Sequence, residues 1–165
     1  MASYEIRRFG DPALKSRATP VKDFDASLKH LTQEMMRIMR ENEGVGLAAN
    51  QVGRLQRIFV AAYEDEEFAI VNPEVEWSSE NKEKDIEGCL SLPEVRVEVE
   101  RPHAVTVSGR DPSGAPVRIR AEGLLARIFQ HEIDHLDGVL ILDRTDRESR
   151  KRAMREIRER LLTRG

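Results

Sequence analysis

From Asp25 onward, apolar residues recur at helical spacing: Leu28, Leu31, Met35 and Ile38. The spacing predicts an amphipathic helix that Asp25 caps and that ends at Asn42-Glu43-Gly44. Ahead of it, residues 1–24 read as irregular, with Gly10-Asp11-Pro12 and Thr19-Pro20 as turn signals. Residues 44–54 are glycine-rich and loop-like. Short apolar runs then predict strands at 58–62, 68–72 and 75–77, and the charged stretch 80–87 reads as a loop. Val95, Val97 and Val99 alternate with Arg96, Glu98 and Glu100, the pattern of a half-buried strand. Segments 104–108 and 117–121 read the same way and are joined by the turn Asp111-Pro112-Ser113-Gly114. A second helix is predicted over 124–136, stopping at Asp137-Gly138, and 139–142 reads as a short buried strand. The last helix opens at Thr145, with Glu148 three residues on as a capping box, and carries Met154, Ile157 and Leu161 as its apolar stripe. Strands interleaved with few helices imply an α+β domain with mostly antiparallel pairing.

Composition adds bounds. The 165 residues fit one domain with one sizeable core, spanning 1–165 and ending in an arginine-rich helix at about 145–163. With 39% hydrophobic and 35% charged residues the chain is polar but foldable. No apolar run is long enough for a membrane span, and the N-terminus lacks the apolar stretch of a secretory signal. A single cysteine, Cys89, makes no internal disulfide, which fits a reducing compartment such as the cytosol.

The net charge of -3 hides an asymmetry. Residues 64–100 hold thirteen acids against Lys82, Lys84 and Arg96, whereas 144–165 hold eight arginines and one lysine against four acids. The tail reads either as a nucleic-acid contact or as a solvated helix. The i,i+4 pairs Glu148-Arg152, Arg152-Glu156, Arg155-Glu159 and Glu156-Arg160 favour the second.

The chemistry-bearing motif is His131-Glu132-Ile133-Asp134-His135, an H-E-x-x-H sequence on the second predicted helix. A helix turns about 100° per residue, so the two imidazoles stand one turn apart on one face and can reach one ion. Glu132 lies beside that face, the place for a general base acting on water. Leu124 and Ile128 share the histidine face, so the pair is expected to point inward, where unpaired imidazoles are costly. The alternative is two core histidines bonded to backbone carbonyls. His30 and His103 read as ordinary surface residues. For a third ligand, the stretch after His135 offers only Asp137, Asp143 and Asp146, at no persuasive spacing. Cys89, in Glu87-Gly88-Cys89-Leu90-Ser91, is the better candidate. Alone, one cysteine reads as a small core hydrophobe; beside a histidine pair the ligand reading wins.

Three ordered segments resemble motifs of the peptide deformylase family. Gly44-Val45-Gly46-Leu47-Ala48-Ala49-Asn50-Gln51 is similar to the family's first motif, with Val45 where isoleucine is common. Glu87-Gly88-Cys89-Leu90-Ser91 is similar to the second, and Gln130-His131-Glu132-Ile133-Asp134-His135 to the third. Gly10-Asp11-Pro12-Ala13-Leu14 resembles the N-terminal signature. The resemblance implies that Cys89, His131 and His135 bind one divalent metal ion, with Glu132 as general acid and base. It implies that the Gln51 side-chain amide and the Leu90 backbone N–H stabilise developing negative charge. The implied reaction removes the N-formyl group from the initiator formyl-methionine of nascent chains and releases formate. The implied metal in the cell is Fe²⁺, and Zn²⁺, Ni²⁺ or Co²⁺ can occupy such a site.

The residues themselves suggest substrate contacts. Gly44, Val45 and Gly46 either offer backbone groups to an extended peptide or form a plain loop after a helix. Val45, Leu124 and Ile128 are candidates for a methionine pocket, though the last two fit a core equally well. Arg96 is a candidate for peptide backbone or carboxylate, and Asp134 either orients a ligand or pairs with an arginine. The expected fold is α+β, with mostly antiparallel strands around a central metal-binding helix and a helix towards each terminus. Expected partners are N-formyl-methionyl peptides and, through the basic C-terminal helix, the ribosome; no membrane and no DNA contact is expected. The expected location is a bacterial-type cytoplasm, with an organelle after transit-peptide removal left open. Two other readings compete: an internally cleaving metalloprotease, and a non-catalytic module with a closed metal site and an RNA-binding tail.

Overall fold

The computed structural model describes residues 4–163. Its helices are α1 (Ala26–Glu41), α2 (Gly123–Leu136), α3 (Ile141–Arg144) and α4 (Arg147–Thr163). Its strands are β1 (Gly46–Ala48), β2 (Ile58–Tyr63), β3 (Glu66–Ser78), β4 (Lys82–Cys89), β5 (Leu92–Pro102), β6 (Ala104–Arg110) and β7 (Pro116–Glu122). One antiparallel sheet has the order β1-β2-β3-β6-β7, and β4 pairs with β5 in a separate two-stranded sheet. The α+β class read from the pattern is the class observed.

Strand β2 shows how the layers form. Ile58, Phe59, Val60 and Ala61 are all buried, because helices cover both faces of the sheet there. Ile58 and Val60 join Leu31, Met35, Ile38 and Met39 of α1. Their neighbours Phe59 and Ala61 point the other way, to Ala126, Phe129 and Ile133 of α2. Phe129 anchors that side, with Phe59 and Phe68 at 5.5 and 5.2 Å between ring centroids. A third cluster joins Leu92, Val95, Val97 and Val99 of β5 to Ile141, Leu142 and Ala153. Helix α2 therefore touches both sheets, packing on β1, β2 and β7 and also on β5. Where no helix covers the large sheet, Val75 and Trp77 stay exposed, with the Arg120 guanidinium 4.9 Å from the Trp77 ring centroid.

Asp25 caps α1 as expected, accepting from Leu28 N–H at 3.1 Å. Six expectations are corrected. The loop-like stretch 44–54 contains β1 and a 3₁₀ turn, Ala49–Val52. Charged 80–87 is mostly β4, because pairing with β5 decides the strand, while its charges other than buried Glu87 face solvent. Runs 68–72 and 75–77 belong to one strand, β3, interrupted by register shifts. Run 139–142 ends as helix α3: a short apolar run carries no usable period, and Asp143 accepts from Leu140 N–H at 2.9 Å. Helix α4 is capped by Asp146, which accepts from Ser149 N–H at 2.8 Å, while the Thr145 hydroxyl donates to the Glu98 carbonyl. Leu161 is 66% exposed, so the packed stripe of α4 is Ala153, Met154 and Ile157. Arg164 of the basic tail lies outside the described residues.

Asp143 also ties the N-terminal segment to α3, through Lys15 at 2.7 Å. Burial pushes its pKa up, but the bonds from Lys15 and Leu140 N–H outweigh this and hold it below the ordinary aspartate value. Its charged form therefore stabilises the fold above the ordinary aspartate range, and that contribution is lost as pH falls through the depressed value. Urea titration of Asp143→Asn is expected to show lower stability than the parent at pH 7, with the difference shrinking progressively below pH ~4.

Candidate active site

The site forms where α2 faces the end of β4. His131 and His135 stand one turn apart, with their Nε2 atoms 3.2 Å from each other. Strand β4 ends at Cys89, after a register shift between Gly88 and Cys89 that lets the chain turn through Leu90 and Ser91. The Cys89 Sγ lies 3.3 Å from His135 Nε2. The three ligand atoms all lie within 4.8 Å of one another and are a group that could hold a metal ion.

The protonation states follow from the neighbours. His131 Nδ1 lies 2.9 Å from the Glu87 carboxylate and donates its proton there, which leaves Nε2 facing the cluster, where a shared ion would take the place of a proton. Burial lowers the His131 pKa, but Cys89, Glu132 and Glu87 together raise it well above the usual value. Burial, then the neighbouring His131 charge, pushes His135 well below it. Two imidazole nitrogens and a sulfur crowded at hydrogen-bond distance repel unless a cation is shared among them. A thiolate with two neutral imidazoles suits a divalent transition metal, so these residues fit the implied ion.

Glu132 is buried beside this group, its Oε2 4.0 Å from His131 Nε2 and its Oε1 without a hydrogen-bond partner among the described residues. It rests against β1. A Cβ at Gly46 would collide with Glu132 Oε2, so a glycine there makes room for the carboxylate. Burial, reinforced by the charges of Glu87 and Asp134, pushes the Glu132 pKa up to about 7. Gln51 is fixed from behind: its Oε1 accepts from Ala48 N–H at 2.9 Å. Its Nε2 donates to Ser91 Oγ at 3.1 Å and lies 3.5 Å from Cys89 Sγ.

Glu87 is the hub of the surrounding network. It accepts two bonds from Arg101, at 2.6 and 2.9 Å, and one from Arg127 at 2.6 Å, besides its contact to His131. Burial raises its pKa, but His131 and Arg101 outweigh this and bring it down to about 2. Arg101 continues to Asp134 at 2.9 Å, and Asp134 takes two further bonds from Arg144. Asp134 thus pairs with arginines and, through Arg101 and Glu87, is linked to His131. The role of Glu87 and Arg101 was missed at the level of sequence. One signal was available: the alternation Val95, Val97, Val99 carries position 101 to the buried face.

A cleft of about 610 Å³ opens onto His131, Glu132, Gln51, Cys89 and Leu90. All six suggested substrate contacts line it: Gly44, Val45, Gly46, Arg96, Leu124 and Ile128. Leu124 is 54% exposed at its mouth and is not a core residue, whereas Ile128 is buried. Val45 and Ile86 are exposed beside it. Ile86, Ile6 and Arg8 are further lining residues that the pattern did not flag. His30 is exposed and His103 faces Glu83 at 2.9 Å, both away from the cleft.

Fold and site define a class: an α+β protein with a candidate metal centre built between one helix and one strand end. A family profile described as polypeptide deformylase matches residues 3–151. Peptide deformylase 1 of Corynebacterium glutamicum is 50% identical over 162 residues, covering 96% of each chain. Peptide deformylase of Dictyoglomus thermophilum is 49% identical over 148 residues, covering 89% of this chain and 95% of its own. Among solved structures, the Thermus thermophilus peptide deformylase superposes with a TM-score of 0.90 at 41% identity, covering 97% of this chain and 96% of that one. The Thermotoga maritima enzyme gives 0.86 at 46% identity, covering 88% and 99%. The chain belongs to the peptide deformylase family, and it is a hydrolase.

Glu87→Gln leaves buried Arg127 without its carboxylate partner and Arg101 with Asp134 alone. Denaturant unfolding is expected to show a loss of about 3–5 kcal/mol; a loss below about 1 kcal/mol would show that the network does not hold β4 to α2.

Proposed function

We propose that this chain hydrolyses the N-formyl group from the initiator formyl-methionine of nascent polypeptides and releases formate. The observation that carries the reading is the convergence of Cys89, His131 and His135 beside buried Glu132, open to a cleft, in a chain of this family. Cys89, His131 and His135 would hold one divalent ion, Fe²⁺ in the cell; the same donors suit Zn²⁺, Ni²⁺ or Co²⁺. When bound, the ion supplies Lewis acidity and lowers the pKa of water towards neutrality.

The remaining steps belong to side chains. Glu132, buried beside the ligand group, takes the proton of the attacking water and passes it to the leaving amine. Gln51, its amide orientation set by Ala48, turns Nε2 towards the reacting oxygen, and the Leu90 N–H joins it. Loss of one such donor costs about 3 kcal/mol of transition-state stabilisation. Glu87 keeps the His131 proton on Nδ1 and its lone pair on the reacting side. The peptide runs extended along Gly44 and Gly46, and its methionine packs among Val45, Leu124 and Ile128. Arg96 meets the peptide further along. A formyl carbon bears only hydrogen, so it approaches the walls around Glu132 where an acetyl group is excluded.

The protein acts in the cytoplasm, where nascent chains emerge, and the exposed arginines of α4 dock on ribosomal RNA. No helix among the described residues is long and apolar enough to cross a membrane. Charge-neutral replacement of Arg152, Arg155 and Arg158 is expected to weaken salt-sensitive co-sedimentation with ribosomes; unchanged sedimentation overturns the docking.

After anaerobic loading with iron, formate is expected from a formyl-Met peptide and no turnover of its acetylated analogue. Cleavage at an internal peptide bond, or no formate with any of the four metals, would overturn the assignment. Glu132→Gln is expected to retain metal and lose about 10²-fold or more in kcat. Metal analysis of Cys89→Ala is expected to show the ion lost; retention removes Cys89 from the ligand set.

A further inference from the structure

Helix α4 touches residues of the cleft wall. Its apolar side, Ala153, Met154 and Ile157, packs with β5. Near its end, Arg160 Nη1 donates to the Pro93 carbonyl. Its Nη2 lies 3.4 Å from the Glu94 carbonyl, and Nη1 lies 3.4 Å from the Glu94 carboxylate. The family match ends at residue 151, before Arg160.

The residues that Arg160 holds are an irregular part of β5. Gly88 pairs with Arg96 and Cys89 with Leu92, so β4 offers no residue opposite Pro93, Glu94 and Val95. Glu94 has a φ of 64°, a left-handed conformation that a glutamate keeps only where its surroundings enforce it. Carbonyls set free by such a bulge need another donor, and a guanidinium presents several in a fixed fork. Pro93, Glu94, Val95 and Arg96 all line the cleft. Arg96 is the first residue beyond the bulge, and its guanidinium lies over Gly88: a Cβ there would stand 3.0 Å from Arg96 Nη1.

We propose that Arg160 is a positioning residue that clamps the 93–95 bulge and so sets Arg96 at the cleft wall. Helix α4 thereby tunes affinity for peptide residues beyond the methionine. The proposal rests on the deformylase reading for its substrate and on the geometry of β5 for its clamp.

Arg160→Met keeps the aliphatic stem and removes the donors; Arg160→Lys keeps the charge; Lys151→Met, exposed on α4, is the control. Hydrogen exchange at the Glu94, Val95 and Arg96 amides is expected to quicken about tenfold in Arg160→Met and to stay at the parent level in the control. With metal content unchanged, KM for a formyl-Met tripeptide is expected to rise about fivefold with kcat unchanged, and Arg160→Lys to recover part of it. A formyl-Met amide ending at methionine is expected to keep its KM. Unchanged exchange and KM in folded Arg160→Met overturn the proposal. So does faster exchange with unchanged KM, which reduces Arg160 to a structural tie, and so does an equal loss on the short substrate. If Arg160→Met does not fold, Arg160→Lys carries the same comparison. Absence of formate from the parent protein would remove the deformylase reading, while the exchange data would still decide the clamp.

Discussion

A buried, ionised carboxylate holds the site together. Glu87 stands on β4, two residues before Cys89, and its charge is balanced by Arg101 from β5 and by Arg127 and His131 from α2. Neither sheet supplies both halves of the candidate centre. The small sheet carries the sulfur, and the helix packed on the large sheet carries the imidazoles. An ion pair excluded from water is sensitive to small displacements, because each partner moved away leaves a charge uncompensated. Glu87 thus fixes the separation of β4 and α2, and the same carboxylate, accepting from His131 Nδ1, orients its ring with Nε2 towards the cluster. Structural and chemical roles coincide in one side chain.

The second constraint is closeness. Strand β1 passes beside Glu132, with the bare Cα of Gly46 against the carboxylate. At Gly44, an added Cβ would meet Leu90 Cδ1 at 2.7 Å. The first and second motifs are therefore neighbours in space, and their glycines set how near the walls of the cleft can come. Burial of Glu132 between them raises its proton affinity towards neutrality. Around this close-packed centre the rim is open, with Val45, Ile86 and Leu124 presenting apolar surface to solvent.

Much of this was legible in order along the chain. Periodicity placed α1, its Asp25 cap, β5 and α2, because each carries a period that only one element type can bury. The pair His131 and His135 was legible for the same reason. Residues 80–87 misled because an edge strand whose charges, Glu87 apart, are solvated has the composition of a loop. Residues 139–142 misled because four apolar residues bury equally well as a turn of helix or a strand. Arg101 was hidden by expectation: alternation sends it inward, and composition argues that an arginine belongs outside.

By itself, the amino-acid order determined which groups have the chemistry: two imidazoles at one-turn spacing, a glutamate between them, and a single thiol in a glycine-flanked segment. Helix geometry alone makes the histidines converge, since that distance is local. Tertiary structure decided that Cys89 arrives 3.3 Å from His135, that Glu87 is shared among Arg101, Arg127 and His131, and that Arg160 meets the Pro93 carbonyl. Those contacts join positions tens of residues apart. No periodicity encodes them; they exist only because packing of the β4-β5 sheet on α2 and α4 brings distant groups out of water together.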